Sequence, residues 1–319
     1  MPEPLQEPID VLLVSGLLPS IDEKLSATYR VHRAKPDAVP SDIAARVRAV
    51  VGAGGVPGAL IDQLPRLEII SLVSVGYDGI DFPKVTARKI PVTNTPDVLN
   101  DDVADLAIAL MVMAARRLSA ADRYVREGKW LKGAMPLARK VSRKKLGIVG
   151  LGRIGRDIAR RAEAMDMTIS YTNRRPVPGV PYRFVPKLVD LAKDNDFLIV
   201  MASAGPDATG MINRDVMEAL GPDGILVNVS RGRVVDEKAL VEALKSGKLG
   251  GAGLDVFVDE PSVPAELLTM DNVVLTPHVG SATSETRAAM GQLVLDNLAA
   301  WFAGKPLLTE VPETRVRLG

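Results

Sequence analysis

Short strand-like runs alternate with amphipathic stretches along most of this chain. In the first hundred residues the runs lie at 11–14, 29–32, 49–52 and 68–73, with helix-length segments between most of them. Strands that alternate with helices build parallel sheets covered on both faces. The pattern therefore predicts an α/β fold from the start of the chain.

The pattern changes after these runs. Asp101 and Asp102 suit the positive end of a helix dipole, and the apolar stretch 106–115 predicts one long helix that extends to about residue 126. Strand-like runs then recur at 145–149, 167–172, 196–201, 224–229, 250–256 and 272–276. A last amphipathic helix stops at Gly304. Its predicted apolar face comprises Met290, Leu293, Val294, Leu298, Trp301 and Phe302.

The run at 145–149 leads directly into the segment Gly150-Leu151-Gly152-Arg153-Ile154-Gly155 and then into a helix. In this Gly-x-Gly-x-x-Gly pattern, Gly150 permits a tight turn, Gly152 lets the backbone approach a pyrophosphate, and Gly155 lets helix and strand pack closely. The N–H groups that begin the helix also attract phosphate. Glycine-rich turns occur in many loops, but the strand before this one and the helix after it favour a dinucleotide site.

The next predicted strand ends at the position that selects the ribose. An NAD-binding unit has an acidic residue there, whereas this chain has Asn173-Arg174-Arg175. Guanidinium groups hold a 2′-phosphate through paired charge-assisted hydrogen bonds, and a carboxylate would repel it. The alternative is a solvated basic turn, since Pro176 and Pro178 follow. The position of the two arginines favours NADP(H).

The strands between residues 145 and 276 already supply a complete dinucleotide-binding sheet of about six strands. We therefore assign the last helix and the tail to the first lobe. The predicted fold has two doubly wound lobes, in which a Rossmann-type NADP-binding domain (100–280) is inserted into a flavodoxin-like substrate domain (1–99 and 281–319). We expect the substrate to bind in the cleft between the two domains.

Composition narrows the class of protein. The net charge is +1 and no basic block is present, which argues against a nucleic-acid or anionic-membrane partner. The chain has no cysteine, so it has no disulfide and no thiol nucleophile. Its first residues lack the apolar core of a signal peptide, and the stretch 106–115 is too short to span a bilayer. We expect a cytoplasmic protein that does not contact membranes.

Three residues with useful chemistry follow predicted strands: Arg231, Glu260 and His278. Ligands of open α/β sheets bind at the carboxyl ends of the strands, so we expect these side chains near the nicotinamide. Arg231 can grip a carboxylate with its guanidinium fork. His278 can give a proton to a carbonyl oxygen, and Glu260 can orient the imidazole and favour its protonated form.

Each of the three also has a structural interpretation. Arg231 could form an ion pair, Glu260 could be a solvated loop residue, and His278 could be a satisfied histidine at a strand end. His278 is favoured because the only other histidine, His32, lies in the first lobe, where we expect a structural role. No His, Cys, Asp or Glu residues have metal-ligand spacing, so we expect hydride chemistry without a metal.

Five segments, in this order, resemble the D-isomer-specific 2-hydroxyacid dehydrogenases. They are 74–78, 150–155, 228–232, 253–257 with Glu260-Pro261, and 276–280. Within that family the chain looks most like the NADPH-dependent glyoxylate, hydroxypyruvate and hydroxyphenylpyruvate reductases. The finer similarity rests on Arg174-Arg175, 97–99 with 102–105, and 306–309.

The resemblance implies roles for single residues. Arg231, Glu260 and His278 are expected to be catalytic, with Arg231 also binding the substrate carboxylate. The N–H groups of Val75 and Gly76 are expected to bind the same carboxylate.

Other positions are expected to border the ligands. Asp255 is placed near the nicotinamide carboxamide by the resemblance. Gly54 lies in a loop of small residues that leaves room for a substrate larger than glyoxylate, although this loop could also fold inward. The expected cofactor-binding residues are Gly150, Leu151, Gly152, Arg153, Ile154, Gly155, Asn173, Arg174, Arg175, Ser203, Val229, Ser230, Asp255, His278 and Gly280.

The resulting hypothesis is an enzyme that reduces small 2-keto acids to D-2-hydroxy acids with NADPH. Glyoxylate, hydroxypyruvate and phenylpyruvate-type acids are the expected substrates. Some proteins of the family instead sense dinucleotides as corepressors, and the complete catalytic set disfavours that alternative. The resemblance also implies a homodimer formed through the central domain, in which the segment 130–135 is a candidate to cover the partner's pocket.

Overall fold

The computed structural model describes residues 8–202, 205 and 208–315, and the chain divides into two compact units. One unit, here called the split unit, comprises the chain up to Leu99 and from Thr283 onward. The other, the central unit, comprises Asn100–Ala282. Ser203, one of the expected cofactor-binding residues, lies outside the described residues.

The split unit is built on a parallel sheet. Its elements before the central unit are β1 (Asp10–Leu13), α1 (Pro19–Thr28), β2 (Arg30–Arg33), α2 (Ser41–Ala44), β3 (Ala49–Gly52), β4 (Gly55–Val56), α3 (Gly58–Gln63), β5 (Ile69–Leu72), β6 (Gly79–Ile80), α4 (Phe82–Ala87) and β7 (Val92–Thr93). The strand order is β2-β1-β3-β5-β7, and all ladders are parallel. Without the short β4–β6 pair, this is the flavodoxin-like order 2-1-3-4-5.

The central unit contains the second parallel sheet. Its elements are α5 (Asn100–Arg116), α6 (Leu118–Arg126), β8 (Lys145–Val149), α7 (Arg153–Glu163), β9 (Thr168–Thr172), β10 (Arg183–Phe184), α8 (Leu188–Lys193), β11 (Phe197–Val200), α9 (Arg214–Leu220), β12 (Ile225–Asn228), α10 (Glu237–Lys245), β13 (Gly251–Leu254) and β14 (Val273–Leu275). The order β10-β9-β8-β11-β12-β13-β14 is parallel throughout. Counted from β8, its first six strands have the Rossmann order 3-2-1-4-5-6.

The predicted α/β fold with two doubly wound sheets is confirmed. The inner strands β11 and β12 are buried along their whole length, which explains why they read as continuous apolar runs in the sequence. Strand β10 was not predicted, because it is two residues long and Arg183 on it is exposed. Short, half-solvated strands lack the apolar signal on which the prediction depends.

The prediction of one helix from about residue 101 to 126 is wrong. The structure has α5 and α6 separated by Arg117, whose φ of 52° is left-handed and ends the first helix. Helix α5 packs closely on the sheet, where Gly253 of β13 leaves room for Leu110. Helix α6 buries only Ala120, so no apolar stripe keeps it in line with α5.

Helix α11 (Ser284–Phe302) is the last helix of the split unit among the described residues. Met290, Val294 and Leu298 of its predicted apolar face are buried, and Leu293, Trp301 and Phe302 are partly buried. The helix stops just before Gly304, where φ is +65°. Glycine adopts this left-handed backbone without steric cost.

Asn297 of α11 holds the tail that follows the helix. Its Oδ1 accepts the N–H groups of Leu308 at 3.0 Å and Thr309 at 3.2 Å, and its Nδ2 donates to Thr309 Oγ1 at 2.9 Å. The Val311 N–H then donates to the Val92 carbonyl on β7 at 2.8 Å. The end of the chain is therefore attached to the sheet that the first hundred residues form.

His32 lies on β2 in the split unit, where its Nε2 is 2.6 Å from Asp10 Oδ1 on β1. This contact joins two neighbouring strands, so His32 has a structural role.

Within residues 8–315, apart from the few positions left undescribed, no helix is long and apolar enough to span a membrane. The same residues contain no group of three or more His, Cys, Asp or Glu side chains arranged to hold a metal ion.

Candidate active site

The glycine loop between β8 and α7 has the geometry that a dinucleotide needs. Gly150 has φ of 101°, and a Cβ there would lie 2.7 Å from the Met201 carbonyl oxygen. A Cβ on Gly155 would collide with the Gly150 carbonyl. Around Gly152, by contrast, no heavy atom lies within 4 Å of the Cβ position, so a pyrophosphate can approach the backbone. The loop therefore fits a bound dinucleotide.

The end of β9 is joined to this glycine loop. Asn173 Oδ1 accepts the Leu151 N–H at 2.7 Å, so the amide side chain and this N–H satisfy each other. The side chains of Arg174 and Arg175 are exposed, and neither has a hydrogen bond or ion pair with the part of the chain that the structure describes. Two adjacent exposed guanidinium groups are chemically suited to bind a phosphate.

One buried amide side chain, that of Asn228, fixes the turn after β12 that contains Arg231. Asn228, which is 1% exposed, accepts the Ser230 N–H at 3.1 Å and the Ser230 hydroxyl at 2.9 Å through Oδ1. Its Nδ2 donates to the Arg231 carbonyl at 3.0 Å. Asn228 thus fixes the backbone on both sides of the turn. This role was not predicted from the sequence, since an asparagine at a strand end is common in turns.

A buried carboxylate organises the segment that carries His278. Asp255, 1% exposed, accepts the Thr276 hydroxyl at 2.7 Å, the Val279 N–H at 2.8 Å and the Gly280 N–H at 2.9 Å. The Asp255 carbonyl accepts the His278 N–H at 2.8 Å. These four bonds hold His278 at φ of 52°, a left-handed conformation that costs free energy in a residue other than glycine.

His278 and Glu260 form the pair that the sequence predicts. His278 Nδ1 lies 2.7 Å from Glu260 Oε2, and Glu260 Oε1 accepts the Phe257 N–H at 3.0 Å. A carboxylate accepts, so Nδ1 carries a proton and Nε2 is left to hold or release a second one. The His278 side chain is 49% exposed, which leaves the imidazole accessible to a ligand.

The Arg231 segment packs directly on the segment that leads to Glu260. A Cβ on Gly232 would collide with the backbone of Phe257 and Val258. Only a glycine allows this approach, which brings the ends of the neighbouring strands β12 and β13 together. The next neighbour, β14, leads into the His278 segment. Arg231, Glu260 and His278 thus follow three adjacent strands.

Glu237, in the first turn of α10, contacts the same segment. Its Oε1 accepts the Val258 N–H at 3.2 Å. Burial raises the pKa of Glu237, the backbone hydrogen bond from Val258 opposes that rise, and the nearby charge of Asp259 adds to it. Glu237 was not among the predicted site residues, because only the folded chain brings α10 beside the segment after β13.

Four more of the expected cofactor-binding residues, besides those described above, are engaged within the protein. Val229 and Ser230 are buried, Asp255 is bonded to the 276–280 segment, and the Gly280 N–H is bonded to Asp255. These residues support the loops around the site. Their contact with a cofactor stays a prediction.

In the split unit, the two segments that were expected to bind the substrate are hydrogen-bonded to each other. Ser74 Oγ accepts the Gly54 N–H at 2.9 Å and donates to the Gly76 carbonyl at 2.8 Å. Asn94 Nδ2 donates to the Val75 carbonyl at 2.9 Å. The carbonyls of Val75 and Gly76 therefore accept hydrogen bonds, whereas the N–H groups of the same two residues have no acceptor among the described residues. They are available for an anion. The hydrogen bonds by which Ser74 and Asn94 hold these segments were not predicted from the sequence.

Residues 108–280 match the family model described as the NAD binding domain of D-isomer specific 2-hydroxyacid dehydrogenases. A hydroxyphenylpyruvate reductase of Plectranthus scutellarioides is 48% identical over 311 residues, which cover 96% of this chain and 99% of the relative. The chain belongs to the D-isomer-specific 2-hydroxyacid dehydrogenase family. The fold and the resemblance predicted from the sequence are thereby confirmed.

Two further members of the family are closely similar. A glyoxylate/hydroxypyruvate reductase of Arabidopsis thaliana is 53% identical over 267 residues, covering 83% of this chain and 85% of the relative. The crystal structure of an NADPH-dependent glyoxylate/hydroxypyruvate reductase from Sinorhizobium meliloti, in complex with NADP and malonate, superposes with a TM-score of 0.92. Its identity is 43%, and the match covers 97% of this chain and 99% of that one.

Gly232→Ala should destabilise the central unit, because the added methyl group must push the Arg231 segment away from Phe257 and Val258. We expect the free energy of unfolding to fall by about 1–3 kcal/mol, as is usual for overpacking. Urea denaturation measures this change. Gly16→Ala is the matched control, since its Cβ would have no neighbour within 4 Å. Equal stability of both variants would contradict the close packing described above.

Proposed function

We propose that this chain is an NADPH-dependent reductase of small 2-keto acids that forms D-2-hydroxy acids. The observation that carries the proposal is the 2.7 Å contact between His278 Nδ1 and Glu260 Oε2 beside the Arg231 turn. The relatives named as glyoxylate/hydroxypyruvate and hydroxyphenylpyruvate reductases support the substrate class. Glyoxylate, hydroxypyruvate and phenylpyruvate-type acids are therefore the substrates to test.

The side chains of the site divide the work of carbonyl reduction. When bound, NADPH supplies the hydride for the keto carbon. His278 holds a proton at Nε2 and gives it to the keto oxygen, so that the carbonyl becomes an alcohol. Glu260 keeps the imidazole oriented and stabilises its charged form until the proton leaves.

Carboxylate binding fixes which carbon of the substrate can react. Arg231 offers a planar pair of donors that matches a carboxylate. In the split unit, the available N–H groups of Val75 and Gly76 are suited to an anion such as a carboxylate. A substrate held by its carboxylate presents the neighbouring keto group in one orientation, which restricts the reaction to 2-keto acids. Gly54 has open space around its Cβ position, consistent with substrates larger than glyoxylate.

The preference for NADPH rests on the end of β9. Arg174 and Arg175 are exposed next to the glycine loop, and the position holds an amide, Asn173, in place of a carboxylate. The structure of the Sinorhizobium meliloti relative with NADP supports this assignment. We infer that the two guanidinium groups bind the 2′-phosphate of NADPH.

His278→Ala should reduce kcat by about 10²- to 10⁴-fold, the usual cost of losing a general acid. Initial rates of NADPH oxidation with a 2-keto acid measure this loss. Circular dichroism and thermal unfolding, which report whether the variant folds, serve as the control and should change little. A variant with unchanged kcat would refute the role of His278.

Arg174→Ala/Arg175→Ala should abolish the preference for NADPH. Each lost contact with the 2′-phosphate removes a charge-assisted hydrogen bond, so we expect kcat/KM for NADPH to fall at least about tenfold while that for NADH stays nearly constant. Arg183→Ala is the control, because Arg183 is also exposed and pairs with Asp194. An unaltered NADPH/NADH ratio in the double variant would show that the 2′-phosphate binds elsewhere.

We also infer a homodimer formed through the central unit. The segment around α6 exposes large apolar side chains: Leu118 (41%), Val125 (57%), Trp130 (68%), Leu131 (93%) and Leu137 (98%). So much apolar surface in one segment is typical of a protein interface. A second copy of this chain is the proposed partner.

A cytoplasmic location stays a prediction.

Trp130→Asp/Leu131→Asp should convert the dimer into a monomer, because a charge at a buried contact is costly. Sedimentation velocity at micromolar concentration measures the mass. Val189→Asp, at another exposed apolar residue of the central unit, is the control and should remain dimeric. Dimers in both variants would place the interface on another surface.

A further inference from the structure

Three consecutive residues of the segment that carries Glu260 are exposed. Phe257 is buried, but Val258, Asp259 and Glu260 after it are all exposed. Apolar packing is therefore interrupted after Phe257 and resumes at the partly buried Val263. Side chains in this interval need hydrogen bonds to keep a fixed position.

Two carboxylates bind consecutive N–H groups of this segment. Glu260 accepts the Phe257 N–H at 3.0 Å, and Glu237 accepts the Val258 N–H at 3.2 Å. The first bond is internal to the segment and moves with it. Only the bond from Glu237 joins these two amides to another element, namely helix α10.

Helix α10 is itself a fixed reference point. Asp236 caps it by accepting the Ala239 N–H at 3.0 Å, and Gly232 just before it packs against Phe257. The same stretch of chain begins with Arg231. Glu237 therefore connects the segment that contains Arg231 with the segment that contains Glu260.

We propose that Glu237 is a positioning residue that keeps the Glu260 carboxylate against His278 Nδ1. This inference deepens the proposed function, since it concerns the same general acid. Glu237 acts only through Glu260 and contacts neither substrate nor cofactor. Without it, the Val258 amide is released, the exposed segment moves, and the 2.7 Å contact between Glu260 and His278 lengthens.

The charges around the two carboxylates are consistent with this role. Asp259 is the charged neighbour that acts on Glu237. The charged contact of His278 is Glu260, on the segment after β13. Like charges on Glu237, Asp259 and Glu260 repel one another, so the segment that bears two of them needs its backbone bonds to stay in place.

The first test compares steady-state kinetics of three variants. Glu237→Ala should lower kcat for 2-keto acid reduction by about tenfold to a hundredfold, the scale of a misplaced catalytic group, with KM for NADPH unchanged. Glu237→Gln keeps an oxygen acceptor for the Val258 N–H and should stay within about threefold of the unsubstituted enzyme. Glu242→Ala on the same helix, where Glu242 pairs with Arg214, is the matched control and should behave as the unsubstituted enzyme.

A second test observes His278 without using activity. The chain has two histidines, so isotope-labelled imidazoles give two NMR signals, and His278→Asn assigns them. The Nδ1–H proton of His278 should resonate far downfield in the unsubstituted enzyme, because it donates to the Glu260 carboxylate at 2.7 Å. In Glu237→Ala this signal should lose its downfield position, because the carboxylate has moved away. The His32 signal, from the split unit, should not move and serves as the internal control.

The outcomes separate the inference from the proposed function. Absence of turnover in the unsubstituted enzyme would refute the function, and the NMR spectrum would still test the positioning. An unmoved His278 Nδ1–H signal and a normal kcat in Glu237→Ala would overturn the role of Glu237. If Glu237→Ala fails to fold, Glu237→Asp replaces it, since its shorter side chain loses the Val258 amide. Normal behaviour of Glu237→Asp would equally overturn the inference.

Discussion

The buried carboxylate of Asp255 is the constraint on which the site depends. A carboxylate that is 1% exposed is tolerable only when donors surround it, and here the Thr276 hydroxyl and the N–H groups of Val279 and Gly280 supply them. Hydrogen bonds to a charged group contribute about 1.5–3 kcal/mol each. Together they offset the left-handed backbone of His278 and fix the direction in which its imidazole leaves the chain.

The sheet supplies the rest of the arrangement. Neighbouring parallel strands end at one edge, so β12, β13 and β14 bring the segments of Arg231, Glu260 and His278 together without any long excursion of the chain. Small residues then set the distances. Gly155 lets α7 approach β8, and Gly232 lets the Arg231 segment rest on the segment that leads to Glu260. Each glycine marks a place where the backbone itself is the contact surface.

Much of the fold and part of the site could be read from the sequence. Buried strands such as β11 are visible in the sequence as apolar runs. The glycine loop lies in one continuous stretch of sequence with Arg174 and Arg175. The left-handed Arg117 could not be foreseen, because no local signal marks a break between an apolar and a polar helix. Asn228 and Glu237 were missed for a different reason. Their roles depend on hydrogen bonds to backbone amides, which any polar side chain could make in a different fold.

The central claim is that this site reduces 2-keto acids with NADPH. Initial rates of nucleotide oxidation by the purified chain, with NADPH and with NADH, against glyoxylate, hydroxypyruvate and phenylpyruvate test it most directly. The account predicts turnover of at least one of these acids and a higher kcat/KM with NADPH than with NADH. Tight NADPH binding without turnover of any of the three would contradict it and would favour a dinucleotide sensor.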